Sequence, residues 1–213
     1  MTDDEQRAET RRPVVVETRG ACESIVIIRL NQPAERNPLS LATLEKLDRL
    51  VSTLSTRTDI NAIIFTGTGE AFASGANIRE VSAQTAATAG EFALRGQRLM
   101  QKIVDAPQLT IAAVNGYCMG GGLDLALACD LRCAAPAAVF AHPGARLGII
   151  TGWGGTQRLP QLIGSARAFE MFLTARLVSG AEALEIGLVN RLGENALDCA
   201  LEISSNVQKK GDG

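Results

Sequence analysis

Short aliphatic and β-branched runs recur along this chain, separated by stretches in which apolar residues return every third or fourth position. PVVVET around Val14 to Val16, SIVIIRL from Ser24, NAIIFTG from Asn61, LTIAAVNG from Leu109 and LRCAA from Leu131 read as strands. Leu41 to Leu54, Phe92 to Val104 and Leu123 to Cys129 carry the helical period. Strand and helix alternate, so the pattern predicts an α/β fold with parallel strands joined by crossover helices. Beyond Thr151 it changes to consecutive helices, roughly 155–163, 165–174 and 180–186, and then a short GLVNRL strand. The expected layout is a tail over 1–12, one α/β domain over 13–192 whose helical part starts near 155, and a short C-terminal helix or tail over 193–213. Thr85 to Gly90, small and polar, is the predicted mobile loop.

Composition narrows the class. A chain of 213 residues with 46% hydrophobic content can bury one sizeable core. A net charge of −2 supplies no general attraction to nucleic acid or anionic lipid. The opening MTDDEQRAETRR mixes acids with arginines and has no apolar centre, and no apolar run approaches membrane-spanning length, so a cytoplasmic protein with neither nucleic-acid nor membrane partners is expected. Five cysteines, Cys22, Cys118, Cys129, Cys133 and Cys199, lack C-x-x-C spacing and read as buried thiols in a reducing compartment.

Several chemistries drop out at the level of motifs. The phosphate-binding G-x-x-x-x-G-K-[ST], the G-x-S-x-G elbow and a G-x-G-x-x-G after a strand are all absent. His142 is the sole histidine, so a multi-histidine metal site is impossible, and nothing in the spacing asks for a metal. What stands out is NGYCMGGG, which follows the Ile111 to Val114 strand and opens a helix near Gly121. The first N–H groups of a helix lack intrahelical acceptors and attract negative charge. FASGANIRE, Phe72 to Glu80, is a second segment of small residues after a strand, where Ala76 presents another N–H. Two such donors aimed at one oxygen would form an oxyanion hole. Taken singly, each segment is also explained by glycine spacers between helix and sheet.

Together these segments resemble a known family. IAAVNGYCMGGGLDLALACDLRCAA, AFASGANIRE, LGIITGWGGTQRLPQLIG, NQPAERNPLS and LTARLVSGAEALEIGLVN look like the enoyl-CoA hydratase/isomerase, or crotonase, superfamily, in unbroken order from Ile25 to Leu192. The resemblance implies a spiral of β-β-α repeats, here with a shortened C-terminal helical region. It implies an acyl-CoA thioester as substrate, no cofactor beyond the coenzyme A the substrate carries, no metal, and a homotrimer or dimer of trimers. It places the oxyanion-hole amides at Ala76 and Gly121, sets Ala34 to Arg36 along the adenine, and puts Arg79 near the nucleotide phosphates; two solvated arginines are the alternative for Arg36 and Arg79.

The chain also departs from the family pattern. Hydratases of the family use two glutamates. The first position is Asp124 here, one methylene shorter and three residues beyond Gly121, which is either the catalytic acid or base or a buried structural acid. The second is Gly144, which has no proton to give. Phe140 to Gly144 is similar to ring-closing dihydroxynaphthoyl-CoA synthases, but those carry an aspartate where this chain has Thr151. His142, two residues before Gly144, has the chemistry to transfer protons, but nothing in the sequence aims it at the pocket, and it reads as a satisfied structural histidine. Trp153 replaces a small residue, and lines the acyl pocket, meets an oligomer contact or packs the core. Relatives commonly continue for some dozens of residues past GLVN with helices that cover the acyl site or bind a neighbouring subunit, and the expectation is that these are truncated here. Three functions remain open: hydration of 2-enoyl-CoA with one carboxylate, another enolate reaction such as isomerisation, decarboxylation or carbon–carbon bond formation, and a non-catalytic acyl-CoA-binding trimer.

Overall fold

The computed structural model describes residues 12–20 and 23–206. The predicted tail over 1–12 lies outside the described residues except for Arg12, as does Cys22. Every long aliphatic run forms a strand of one six-stranded sheet. β1 (Val14–Arg19) pairs antiparallel with β2 (Ile25–Leu30). From β2 the sheet continues in parallel through β4 (Ala62–Gly67), β7 (Leu109–Val114), β9 (Leu131–Ala134) and β12 (Arg191–Leu192).

A second layer consists of strands only two or three residues long. β5 (Ala71–Ala73), β8 (Tyr117–Met119) and β10 (Val139–Ala141) lie parallel, and β11 (Val178–Ser179) closes that sheet antiparallel to β10. β3 (Pro38–Leu39) pairs with β6 (Gly75–Ala76) alone. Strands this short carry no periodicity, so the sequence pattern does not announce them. Each circuit of the chain lays a long strand, then a short strand (two of them, β5 and β6, in the second circuit) and then a helix, and successive circuits stack by parallel pairing. This is the spiral of β-β-α repeats that the family resemblance implies.

The helices match their periods. In α1 (Leu41–Leu54) the Ser40 side chain accepts the Thr43 N–H, and Leu44, Leu47, Val51 and Leu54 form the buried stripe. After α2 (Ile78–Ser82), α3 (Ala89–Val104) buries Gly96, Leu99, Met100 and Ile103. Thr85 to Gly90, expected as a loop, is a bonded turn that runs into α3, with the Thr85 N–H donating to Thr88 Oγ1 at 2.9 Å. α4 (Gly121–Ala128) is buried from Gly122 onward, and α5 (Gly155–Ile163), α6 (Ser165–Thr174) and α7 (Gly180–Glu185) follow as the expected helical part.

Alternation along the long strands divides the core in two. Val26, Ile28, Ile63, Phe65, Ala112 and Val114 face the main core with α1, α3 and α4. Ile25, Ile27, Ala62, Ile64, Ile111 and Ala113 face outward, where Ala196, Cys199 and Ala200 of α8 (Ala196–Asn206) cover them. Burial on both faces is why these strands read as unbroken apolar runs.

Asn37 ties the first circuit to the second. It is buried at φ 53°, a left-handed conformation asparagine tolerates, accepts the Gln32 N–H at 2.8 Å, and donates to the carbonyls of Thr68 and Ala71 at 3.0 and 2.7 Å. Asn37→Ala leaves buried groups unpaired and is expected to cost about 2–4 kcal/mol in urea unfolding.

The four described cysteines are all buried. Burial pushes the Cys129 thiol up to about 12, with Arg132 opposing and Asp130 adding. An unfolded chain gives up this proton near its ordinary value of about 9, whereas the folded chain keeps it, so the folded state binds more protons between these values. Stability should therefore fall as pH rises from about 9 towards 12, by about 1.4 kcal/mol per pH unit for this thiol. Urea titrations across that range should show the slope reduced in Cys129→Ala.

Candidate active site

The site is built where the chain leaves the carboxyl ends of three adjacent short strands. Ser74 to Ala76 follow β5, Gly120 to Asp124 follow β8, and His142 to Gly144 follow β10, and all three segments face one cavity of ≈ 240 Å³. The Gly120 N–H donates to the Ala141 carbonyl at 2.9 Å, which fixes the entry to α4 against β10.

Ala76 and Gly121 meet on one wall. Gly75 has φ +96°, where glycine is favoured, and a Cβ there would stand 2.7 Å from the Met119 carbonyl oxygen and 3.1 Å from the Gly121 nitrogen. A Cβ on Gly121 would stand 3.3 Å from the Ala76 nitrogen. Only bare backbone allows β6 and the start of α4 to approach so closely. Gly121 is the first residue of its helix, so its N–H has no intrahelical acceptor.

Asp124 lines the same cavity, one turn into α4 and 1% exposed. Its Oδ2 accepts a short hydrogen bond from the Thr151 hydroxyl, and its Oδ1 lies 3.3 Å from His142 Nε2. That separation suits an ion pair if the ring is protonated, but the alignment is off, and both atoms lack a hydrogen-bond partner among the described residues. The expectation of a satisfied structural histidine is therefore corrected. His142 is buried, its ring packs on Phe172 with centroids 5.0 Å apart, and it lines the cavity with Nε2 unpartnered. The Cys118 thiol nearby is held well above its ordinary value by burial and then by the Asp124 charge, so it stays protonated and non-nucleophilic.

Thr151 is the residue the sequence did not reveal as a partner of Asp124. The two are 27 positions apart, and only the return of the chain between β10 and α5 joins them. Gly144 also lines the cavity, but its Cα faces a carbonyl: a Cβ would stand 2.6 Å from the Ile149 oxygen, in a turn closed by the Ile149 N–H on the Gly144 carbonyl at 3.0 Å. Trp153 is buried in the main core, as the packing reading expects, and also borders the cavity.

The nucleotide candidates sit outside this cavity. Arg79 and Glu35 line a shallow groove of ≈ 280 Å³ that shares Ser74, Ala76 and Ile78 with it. Ala34 and Arg36 are exposed on the preceding turn and line neither space, and the Arg36 guanidinium lies 5.8 Å from the centre of the Tyr117 ring. Among the described residues no group of three or more His, Cys, Asp or Glu could hold a metal ion, and no helix is long and apolar enough to cross a membrane.

Known proteins share this arrangement of sequence and fold. The profile of the enoyl-CoA hydratase/isomerase family matches residues 20–208. The short-chain-enoyl-CoA hydratase of Clostridium acetobutylicum is 34% identical over 197 residues, spanning 91% of this chain and 74% of that protein. The crotonyl-CoA hydratase of Syntrophomonas wolfei is 36% identical over 192 residues, spanning 89% and 74%. In the crystal structure of enoyl-CoA hydratase from Bacillus anthracis the fold recurs with a TM-score of 0.86 at 36% identity, covering 91% of this chain and 75% of that one. Pseudomonas aeruginosa DspI gives 0.88 at 35% identity, covering 93% and 76%. The chain belongs to the enoyl-CoA hydratase/isomerase family. Its function is of the acyl-CoA-thioester hydratase/isomerase type.

A glutamate introduced at Gly144 is expected not to fit. Gly144→Glu forces its Cβ onto the Ile149 carbonyl and should displace the 143–149 turn, lowering stability by about 1–3 kcal/mol without a gain in hydration. Thermal unfolding and a crotonyl-CoA assay on the same preparation check this.

Proposed function

We propose that this protein hydrates 2-enoyl-CoA thioesters through an enolate, with Asp124 as the proton-transferring group. The observation that carries the reading is the buried Asp124 carboxylate that lines the cavity one helical turn from Gly121, with Oδ2 held by Thr151 and Oδ1 turned to Gly155 and His142 without a hydrogen-bond partner among the described residues. The thioester carbonyl accepts the N–H groups of Ala76 and Gly121. Water adds its oxygen to C3 while Asp124 takes its proton, and the π electrons move to the thioester oxygen, where the two amides stabilise the charge. The enolate then collapses and C2 takes the proton back from Asp124, so one water is added in full and the carboxylate is regenerated. Thr151 holds the carboxylate in register and His142 faces its free oxygen, which makes both positioning residues. Arg79 in the neighbouring groove supplies charge for the nucleotide phosphates. No step needs a cofactor other than the coenzyme A of the substrate.

The closed position at Gly144 favours a second reading. A single base can take a proton from C2 of a 3-enoyl thioester and return it at C4, moving the double bond with no second carboxylate. The assembly consistent with family resemblance is a homotrimer or a dimer of trimers, and the exposed apolar residues Phe169, Leu173 and Leu177 support an oligomer contact.

Asp124→Asn should lower crotonyl-CoA hydration, followed as loss of the conjugated-thioester absorbance, by about 100-fold or more, with thioester binding within a few-fold of the parent. Thr151→Val keeps the shape without the hydroxyl and should cost roughly 10–100-fold. Unchanged turnover in Asp124→Asn ends its role. Turnover of 3-enoyl but not 2-enoyl thioesters selects the second reading.

A further inference from the structure

We propose that Trp153 is a specificity-determining wall that closes the acyl end of the cavity and restricts the enzyme to short-chain acyl thioesters. The inference rests on the reading above that the thioester carbonyl sits between Ala76 and Gly121. The cavity has two neighbouring spaces. On one side it shares Ser74, Ala76 and Ile78 with the Arg79 groove. On the other it shares Thr151, Gly152 and Trp153 with a larger groove of ≈ 750 Å³ between α3 and α5, bordered by Leu94, Gln97, Val104 and Arg158. A thioester that enters from the Arg79 side and places its carbonyl at the amides points its acyl chain at Trp153.

The indole fills that end. A Cβ at Gly121 or at Gly96 would overlap its ring, so the side chain lies flush between the amide wall and α3, and Phe92 packs beside it with ring centroids 5.9 Å apart. Trp153 is 3% exposed although it borders two open spaces, which shows how tightly the partition is seated. Its backbone is pinned from both helices. Gln97 Nε2 donates to the Gly152 carbonyl at 2.8 Å, and an Arg158 guanidinium nitrogen donates to the Trp153 carbonyl at 3.1 Å. The cavity volume of ≈ 240 Å³ is below the roughly 300–1,000 Å³ of pockets that take drug-sized ligands. In this direction the indole stands in the way of a long acyl chain.

The test is calorimetric binding of butyryl-, octanoyl- and dodecanoyl-CoA, which are saturated and do not react, to the full-length protein and to Trp153→Ala and Trp153→Leu. Leucine retains apolar bulk, so a folded variant remains if the alanine change unfolds the chain. Because a single methylene is worth roughly 10–200-fold in a closed apolar pocket, the parent should bind octanoyl-CoA at least about tenfold more weakly than butyryl-CoA. Both variants should shift that ratio at least about tenfold towards octanoyl-CoA. Equal affinity for butyryl- and octanoyl-CoA in the parent, or an unchanged ratio in a folded variant, overturns the wall while leaving thioester binding intact. Absence of binding at every length overturns the underlying reading of the cavity and the wall with it.

Discussion

The site depends on the parallel pairing of three very short strands. β8 lies between β5 and β10, with Cys118 opposite Ala73 on one side and Phe140 on the other, and this register aligns three chain exits. One exit supplies the Ala76 amide, the next Gly121 and Asp124, and the last His142 and the Gly144 turn. A crevice outside the carboxyl ends of parallel strands is where α/β proteins commonly place ligands. Here each exit is forced to be narrow, because β6 and α4 approach to distances at which a single Cβ would collide.

That crowding connects packing to chemistry. Donors held by a sheet and by a buried helix need no reorganisation when charge develops on a bound carbonyl, which is the condition under which such donors are most effective. The carboxylate follows the same logic, since α4 is buried along its length and Thr151 restrains one of its oxygens. The indole of Trp153 rests against Gly121, so the shape of the cavity and the position of the Gly121 amide are set by one contact.

Gly144 sits in a turn that leaves no space for a side chain. The Ile149 carbonyl occupies the direction in which a side chain would leave the backbone. The turn as folded has room only for glycine at this position.

Much of this was determined by the sequence alone. The long strands, α1, α5 and α6 are legible because burial on one or both faces imposes a period or an unbroken apolar run over many residues. The glycine segments and Asp124 are legible because their spacing matches a family and because bare backbone beside a helix start has a physical use. The tertiary structure alone decided the rest. Strands of two or three residues have no pattern of their own and exist only through their neighbours. Thr151 and His142 reach Asp124 from the next circuit of the spiral, and the Ile149 carbonyl meets Gly144 across a turn. Contacts of this kind depend on how successive circuits stack, and no local pattern of residues encodes that.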